Sequence, residues 1–209
     1  MCKTIIKVLL FLVLSSYSAF AQDSGTFTDV RDGNSYKWIK IGHQHWMAEN
    51  LKYKTSRGSG YYDLNLYGRF YTWDAAKRAC PNGWHLPSDT EWKGLESTLG
   101  MNLSDINRND YYSNSNNLGI KLKSKSGWRF YLQNGNGRDL YGFKALPGGY
   151  FHYYTKRFML YGTSISFWSS SSFDREKAIA RSLDSANDRI ERDEYFNKLH
   201  GCYVRCVKD

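Results

Sequence analysis

Cys80, Cys202 and Cys206 are the side chains with the widest chemical range in this sequence, because a thiol can cross-link, bind a soft metal or act as a nucleophile. Cys2 lies apart at the N-terminus. In an oxidising compartment the other three imply one disulfide and one leftover thiol, and counting does not choose the pair. His43 and His45 flank Gln44, so on a strand they would share a face and make half of a metal site. No cysteine or third histidine is near them in sequence, and they read as exposed strand histidines. Asp105, Asp110 and Asp139 are too scattered to read as a calcium cage, which needs several convergent oxygens. No metal or cofactor is therefore expected, and nothing resembles a Ser-His-Asp arrangement, a phosphate loop or a glycosidase carboxylate pair. The run Tyr150-Phe151-His152-Tyr153-Tyr154 is the candidate ligand surface. On a strand Tyr150, His152 and Tyr154 would share one face, and exposed tyrosine suits glycan stacking or protein contact. Packing of both faces inside a small sandwich is the alternative.

The elements that must position these residues begin with short strands. Phe27 to Val30 leads into an Asp32-Gly33-Asn34 turn, and Tyr36 to Ile41 then alternates as a strand does. His45-Trp46-Met47 follows a turn at Gly42, and residues 57–60 read as loop. A first helix is expected from Trp73 to Cys80, ended by Pro81-Asn82-Gly83. A second opens on Ser88-Asp89-Thr90-Glu91, a capping box, with Trp92, Leu95 and Leu99 on one stripe and Gly100 at the stop. Residues 101–142, rich in Asn, Ser, Gly and Asp, are too long for an ordinary connection and read as an irregular loop region holding a short piece at Leu118–Leu122. Strand-like runs return at Tyr150–Tyr154, Ser166–Ser169, Ala178–Leu183, Arg189–Arg192 and Tyr203–Val207. No internal repeat or linker divides the chain.

The N-terminus reads as an export signal. Lys3 and Lys7 precede the apolar run Val8–Leu14, and Ala19-Phe20-Ala21 supplies the small-x-small pattern for cleavage before Gln22. Ser15, Ser16 and Ser18 arrive too early for a membrane span. Cys2 precedes the apolar run, which argues against a lipoprotein. Removing 21 of the 209 residues leaves 188, and the net charge falls from +9 to +7. A secreted, periplasmic or cell-surface product with that charge would favour acidic surfaces such as anionic glycans or lipopolysaccharide, and export argues against nucleic acid. Aromatics make up 17% of the chain, which excludes disorder and suits a loop-rich domain with aromatic residues in its core.

The ordered motifs resemble one family, the Fibrobacter succinogenes major paralogous domain. They are Asp29-Val30-Arg31-Asp32-Gly33-Asn34, Trp46-Met47-Ala48-Glu49-Asn50-Leu51, Tyr67-Gly68-Arg69, and Cys80-Pro81-Asn82-Gly83-Trp84-His85-Leu86-Pro87-Ser88 with Glu91-Trp92. Gly127-Trp128, Ala145-Leu146-Pro147-Gly148-Gly149-Tyr150, Phe167-Trp168-Ser169-Ser170 and Val204-Arg205-Cys206-Val207 complete the set. That family in turn looks like the C-type-lectin-like fold, which includes the formylglycine-generating enzymes. The resemblance implies one α+β domain over residues 22–209, with two early helices, short mostly antiparallel strands and a long irregular loop region.

It also implies a disulfide from the end of the first helix to the last strand, where Cys80 and Cys206 stand, leaving Cys202 as a free thiol. Cys202 and Cys206 are four residue steps apart, about 13 Å if extended, which is too far for a disulfide. A formylglycine-generating site needs two reactive thiols for copper, and the sugar-binding calcium motifs of C-type lectins are absent. The expectation is a monomeric, non-catalytic recognition or adhesion domain that binds a glycan or protein through residues 101–165. The alternatives are an enzyme on the same scaffold and a purely structural envelope protein.

Overall fold

A computed structural model describes residues 23–102, 104–106, 117–129 and 135–209. The expected export signal and Asp110 lie outside the described residues. The strands are β1 (Ser24–Thr28), β2 (Ser35–Ile41), β3 (Gln44–Met47), β4 (Ser59–Gly60), β5 (Phe70–Tyr71) and β6 (Trp84–His85), followed by β7 (Tyr150–His152) and β8 (Arg157–Met159). The last five are β9 (Ser164–Ser172), β10 (Lys177–Asp184), β11 (Glu191–Asn197), β12 (Cys202–Tyr203) and β13 (Val207–Lys208). Helices α1 (Leu64–Tyr67), α2 (Trp73–Ala76), α3 (Asp89–Thr98) and α4 (Leu118–Leu122) are few and short. One sheet runs β1-β2-β3-β13-β6, a second runs β11-β10-β9-β12-β5-β4, and β7-β8 is a separate hairpin. All strand pairings are antiparallel except β12 with β9. The fold is thus mixed, mostly β, with few helices.

The capped helix forms as its sequence predicts. Ser88 Oγ accepts from the Glu91 N–H, and the Glu91 carboxylate accepts from the Ser88 N–H. Trp92, Leu95 and Leu99 are all buried on one stripe, and α3 packs on β9. The helix expected over Trp73–Cys80 is regular only to Ala76. Beyond it Arg78 and Ala79 donate to carbonyls three residues back, the tighter turn by which a helix winds down before a proline. The β1 strand starts earlier than expected and ends at Thr28, leaving Val30 exposed in a turn. Asp29 makes that turn: its buried carboxylate accepts from the Arg31 N–H and guanidinium while its carbonyl accepts from Gly33 N–H.

Further differences lie at chain reversals. The aromatic run is a strand only to His152, since residues 153–156 turn back into β8. Ser59–Gly60 is a two-residue edge strand rather than loop. β9 and β11 extend past the predicted Ser166–Ser169 and Arg189–Arg192. The run expected as one strand over Tyr203–Val207 instead divides between the two large sheets. Cys202–Tyr203 pairs with β5 and β9, and Val207 pairs with β3 and β6. Residues 204–206 cross between the sheets, with the carbonyls of Val204 and Cys206 accepting from Leu51 and Met47 N–H. Cys206 is bonded to Cys80, with Cα atoms 5.9 Å apart.

Two apolar clusters sit on either side of this crossing. One gathers Trp46, Trp92, Phe143, Phe167 and Leu118, and the other gathers Tyr36, Tyr71, Trp73, Trp168 and Cys206. Five of the seven tryptophans are buried, and all five place their indole N–H within hydrogen-bond reach of a polar oxygen. Such partners are what let a large aromatic ring enter a core at little polar cost.

Candidate ligand-binding site

The β7-β8 hairpin presents two aromatic faces. Phe151 and Phe158 stand directly opposite each other, with ring centroids 5.5 Å apart. Phe70 stacks on Phe151 at 4.7 Å and meets Phe158 edge-on. From Phe158 the cluster continues outward to Tyr62 at 5.1 Å, from Tyr62 to Tyr161 at 4.5 Å, and from Tyr161 to Tyr67 at 5.5 Å. Tyr61 and Tyr62 are 55% and 51% exposed, so this cluster ends in an open aromatic shelf.

Local chemistry fixes the shelf. Asp63 accepts from Leu66 N–H and caps α1 directly after the two tyrosines. Gly68 ends α1 at φ +74°, where a Cβ would meet the carbonyls of Asn50 and Leu51 within about 3 Å, so only glycine fits the Tyr67-Gly68-Arg69 motif. Gly149 at φ +67° lets the hairpin close, since a Cβ there would strike the Met159 carbonyl. Arg69 lies over the Tyr61 ring at 5.1 Å and Arg129 over the Tyr161 ring at 5.7 Å. These arginines put positive charge at the shelf's edges.

Beside the shelf is a cleft of about 150 Å³, lined by Glu49, Asn50, Lys52, Tyr67, Lys144 and Arg205 among others. Tyr67 belongs to both features. Arg205, at the crossing between the sheets, is 1% exposed. Its Nε donates to Asn50 Oδ1 at 2.6 Å, Nη1 to the carbonyls of Phe143 and Met47, and Nη2 to the Lys144 carbonyl. All four acceptors are neutral, and no carboxylate forms an ion pair with it among the described residues. Burial pushes the guanidinium down to about 9, a shift that the charges of Glu49 and Asp139 oppose. A second cleft of about 290 Å³ is lined by Tyr53, Thr55, Arg57 and Arg78, but those arginines are exposed and solvated.

The other face of the hairpin carries the predicted ligand residues. Tyr150 is half-buried against Phe196 and His200, with ring distances of 5.1 and 5.4 Å. His152 lies 4.7 Å from His200, whose own pKa burial and His152 together depress to about 4. Tyr154 is 81% exposed in the turn, and Tyr153 rather than Tyr154 joins the two histidines. The structure therefore brings Tyr150 and His152 together and leaves Tyr154 apart.

His43 sits exposed in the turn between β2 and β3, whereas His45 is half-buried against Trp38, so they do not share a strand face. Asp139 caps a loop by accepting from Lys144 N–H at 2.8 Å. Cys202 is a free thiol, fully buried between β5 and β9, and that burial raises its pKa. Among the described residues no three His, Cys, Asp or Glu cluster as metal ligands, and no helix is long and apolar enough to cross a membrane.

Tyr62, Phe158, Tyr161, Arg69, Arg129 and Arg205 were not expected from the sequence as members of one site. Arg205 carried a legible signal: a lone arginine inside Cys202-Tyr203-Val204-Arg205-Cys206-Val207 is a charge within an apolar run. The shelf had none, because its rings come from residues about a hundred positions apart.

With this geometry in place, comparison with protein families matches residues 39–208 to the Fibrobacter succinogenes major domain. The chain belongs to that family. No curated protein and no solved structure matches it.

Proposed function

We propose that this member of the Fibrobacter succinogenes major domain family is an exported, non-catalytic recognition domain that binds a glycan on the Tyr62–Tyr161 shelf. The observation that carries the reading is the shelf itself. Tyr62 is held between Phe158 and Tyr161, so a half-exposed ring is positioned before any ligand arrives. Preorganised rings give up little conformational entropy on binding, and their faces suit the apolar face of a sugar. The adjoining cleft is smaller than the roughly 300–1,000 Å³ usual for an engulfed small molecule, which favours a surface contact with a larger chain.

Several features support the wider picture. The disulfide suits an oxidising compartment, in line with a leader cleaved after Ala21. The early helices α2 and α3 and the short, mostly antiparallel strands support a C-type-lectin-like domain. Of the three described cysteines, two are bonded to each other and the third is buried, which favours binding over a two-thiol copper chemistry.

The test is a glycan array probed with the purified protein with and without calcium, followed by titration of each hit. Binding should saturate and should not need calcium. Tyr62→Ala should weaken it about tenfold, as loss of a contact worth somewhat over ~1 kcal/mol does. Tyr154→Ala, in the hairpin turn and outside the shelf's ring contacts, should leave it unchanged. Silence across the array, or loss only in Tyr154→Ala, would overturn the shelf. Capture of a protein by the shelf instead would move the reading to protein adhesion.

A further inference from the structure

Arg205 has five N–H donors, and its four neutral acceptors leave one on Nη2 unassigned. Buried arginines are ordinarily matched by a carboxylate, because an unmatched charge in low dielectric is costly. Among the described residues Arg205 has no such ion pair, and the place where it reaches a surface is the cleft. Lys52 and Lys144 line the same cleft, which adds two cations to the guanidinium. Its one acid, Glu49, accepts from the Lys37 N–H at 3.1 Å, on the side of β2. The cleft's charge balance is thus positive, and among the described residues its interior cation has no carboxylate in direct contact.

The cleft and the shelf meet at buried Tyr67, whose ring edges onto Tyr161 and whose carbonyl accepts from Asn50 Nδ2 at 2.8 Å. A ligand lying on the shelf would therefore place its substituents at the mouth of the cleft. About 150 Å³ admits a charged substituent but not a whole sugar chain. On these grounds we infer that the ligand is an anionic saccharide, whose ring rests on Tyr62 and Tyr161 while a carboxylate or sulfate enters the Arg205–Lys144–Lys52 cleft. Arg69 and Arg129 at the shelf's edges have the charge sign that the rest of such a chain requires. The inference rests on the shelf reading and names its ligand class.

The experiment titrates the intact protein with two matched probe pairs: an oligogalacturonate against its methyl ester, and a sulfated galactan oligosaccharide against its desulfated form. In at least one pair the charged member should bind about tenfold tighter, the ratio one charge-assisted contact supplies. The pair that discriminates identifies carboxylate or sulfate. In Lys52→Gln/Lys144→Gln, which alters exposed or rim side chains rather than the Arg205 latch, the preference should fall below about threefold with the unfolding midpoint unchanged. Equal binding within both pairs would overturn the anionic ligand and leave the shelf intact. A preference that survives the double variant would overturn the cleft as its seat. Charged binding untouched by Tyr62→Ala would overturn the shelf, and no binding by any probe would overturn both.

Discussion

His85 illustrates what a single side chain contributes. Its Nδ1 lies 2.6 Å from Asp209 Oδ1 and its Nε2 2.5 Å from Glu91 Oε1. Two ionised carboxylates accept only, so both ring nitrogens must carry protons and the imidazole is cationic. Burial alone would lower the His85 pKa, but hydrogen bonds to Asp209 and Glu91 outweigh it and raise the pKa above 6.5. Burial raises that of Glu91, and bonds from Ser88 and His85 outweigh it and bring the pKa below 4.5. A raised histidine stabilises the fold fully below its unfolded pKa and loses that effect as pH rises through its folded one. A lowered glutamate stabilises it fully above its unfolded pKa and loses that as pH falls through its folded one. The pair should therefore be strongest between about pH 4.5 and 6.5. His85→Gln should lower the melting temperature by no more than about 2–4 °C there, since both partners are partly exposed. Melting curves from pH 3 to 9 check this, and a difference constant across the range would refute it.

At the scale of elements, α3 is where local sequence and tertiary contact meet. Its first turn carries Asp89, whose carboxylate takes two bonds of 2.9 Å from Arg192 on β11 and an ion pair with Arg181 on β10. Burial raises the Asp89 pKa, yet these cations hold the carboxyl well below the usual range. Arg181 also bonds Glu96, two turns further along the same face of the helix, so α3 is pinned to the second sheet by buried charges as well as by its apolar stripe. Ser88→Ala removes the cap and frees Glu91 from one of its donors. A loss of about 1 kcal/mol is expected, read from urea unfolding with an unchanged slope. No change in midpoint would mean that packing, not the cap, starts this helix.

Across the whole molecule, residues 202–208 hold the two large sheets together, and the Cys80–Cys206 bond ties that crossing to the turn that follows α2. The bond closes a loop of 126 residues. The chain-entropy model values such a loop at about 5 kcal/mol, so Cys80→Ala/Cys206→Ala should lose most of that in denaturant unfolding. A loss below about 1 kcal/mol would show that strand pairing alone holds the crossing. Cys202, buried with a raised pKa, should resist thiol reagents in the folded protein and label on unfolding, as peptide mapping would report. Labelling at the native rate of an exposed thiol would contradict the burial.

The legible parts of this protein were local ones. The Ser88–Glu91 box, the Trp92-Leu95-Leu99 stripe and the Asp-Gly turn before β2 each follow from interactions within a few residues, which sequence spacing records directly. The family followed from ordered motifs, and the disulfide pairing from what that family implies. The run from Tyr203 to Val207 shows where spacing stops being informative: its apolar pattern suits one strand, but its hydrogen bonds are divided between two sheets. The aromatic run likewise alternates as a strand through Tyr154, although the chain turns after His152. Its inner residue Phe151, on the face opposite the predicted one, leads to the shelf. Tyr62, Phe158 and Tyr161 meet only because α1 and the hairpin pack together, and Arg205 meets Asn50, Met47, Phe143 and Lys144 only at the crossing. Contacts between residues a hundred positions apart are set by tertiary packing, so the sequence determined the capped helix α3, the Asp-Gly turn and the family, and the folded chain alone decided the site.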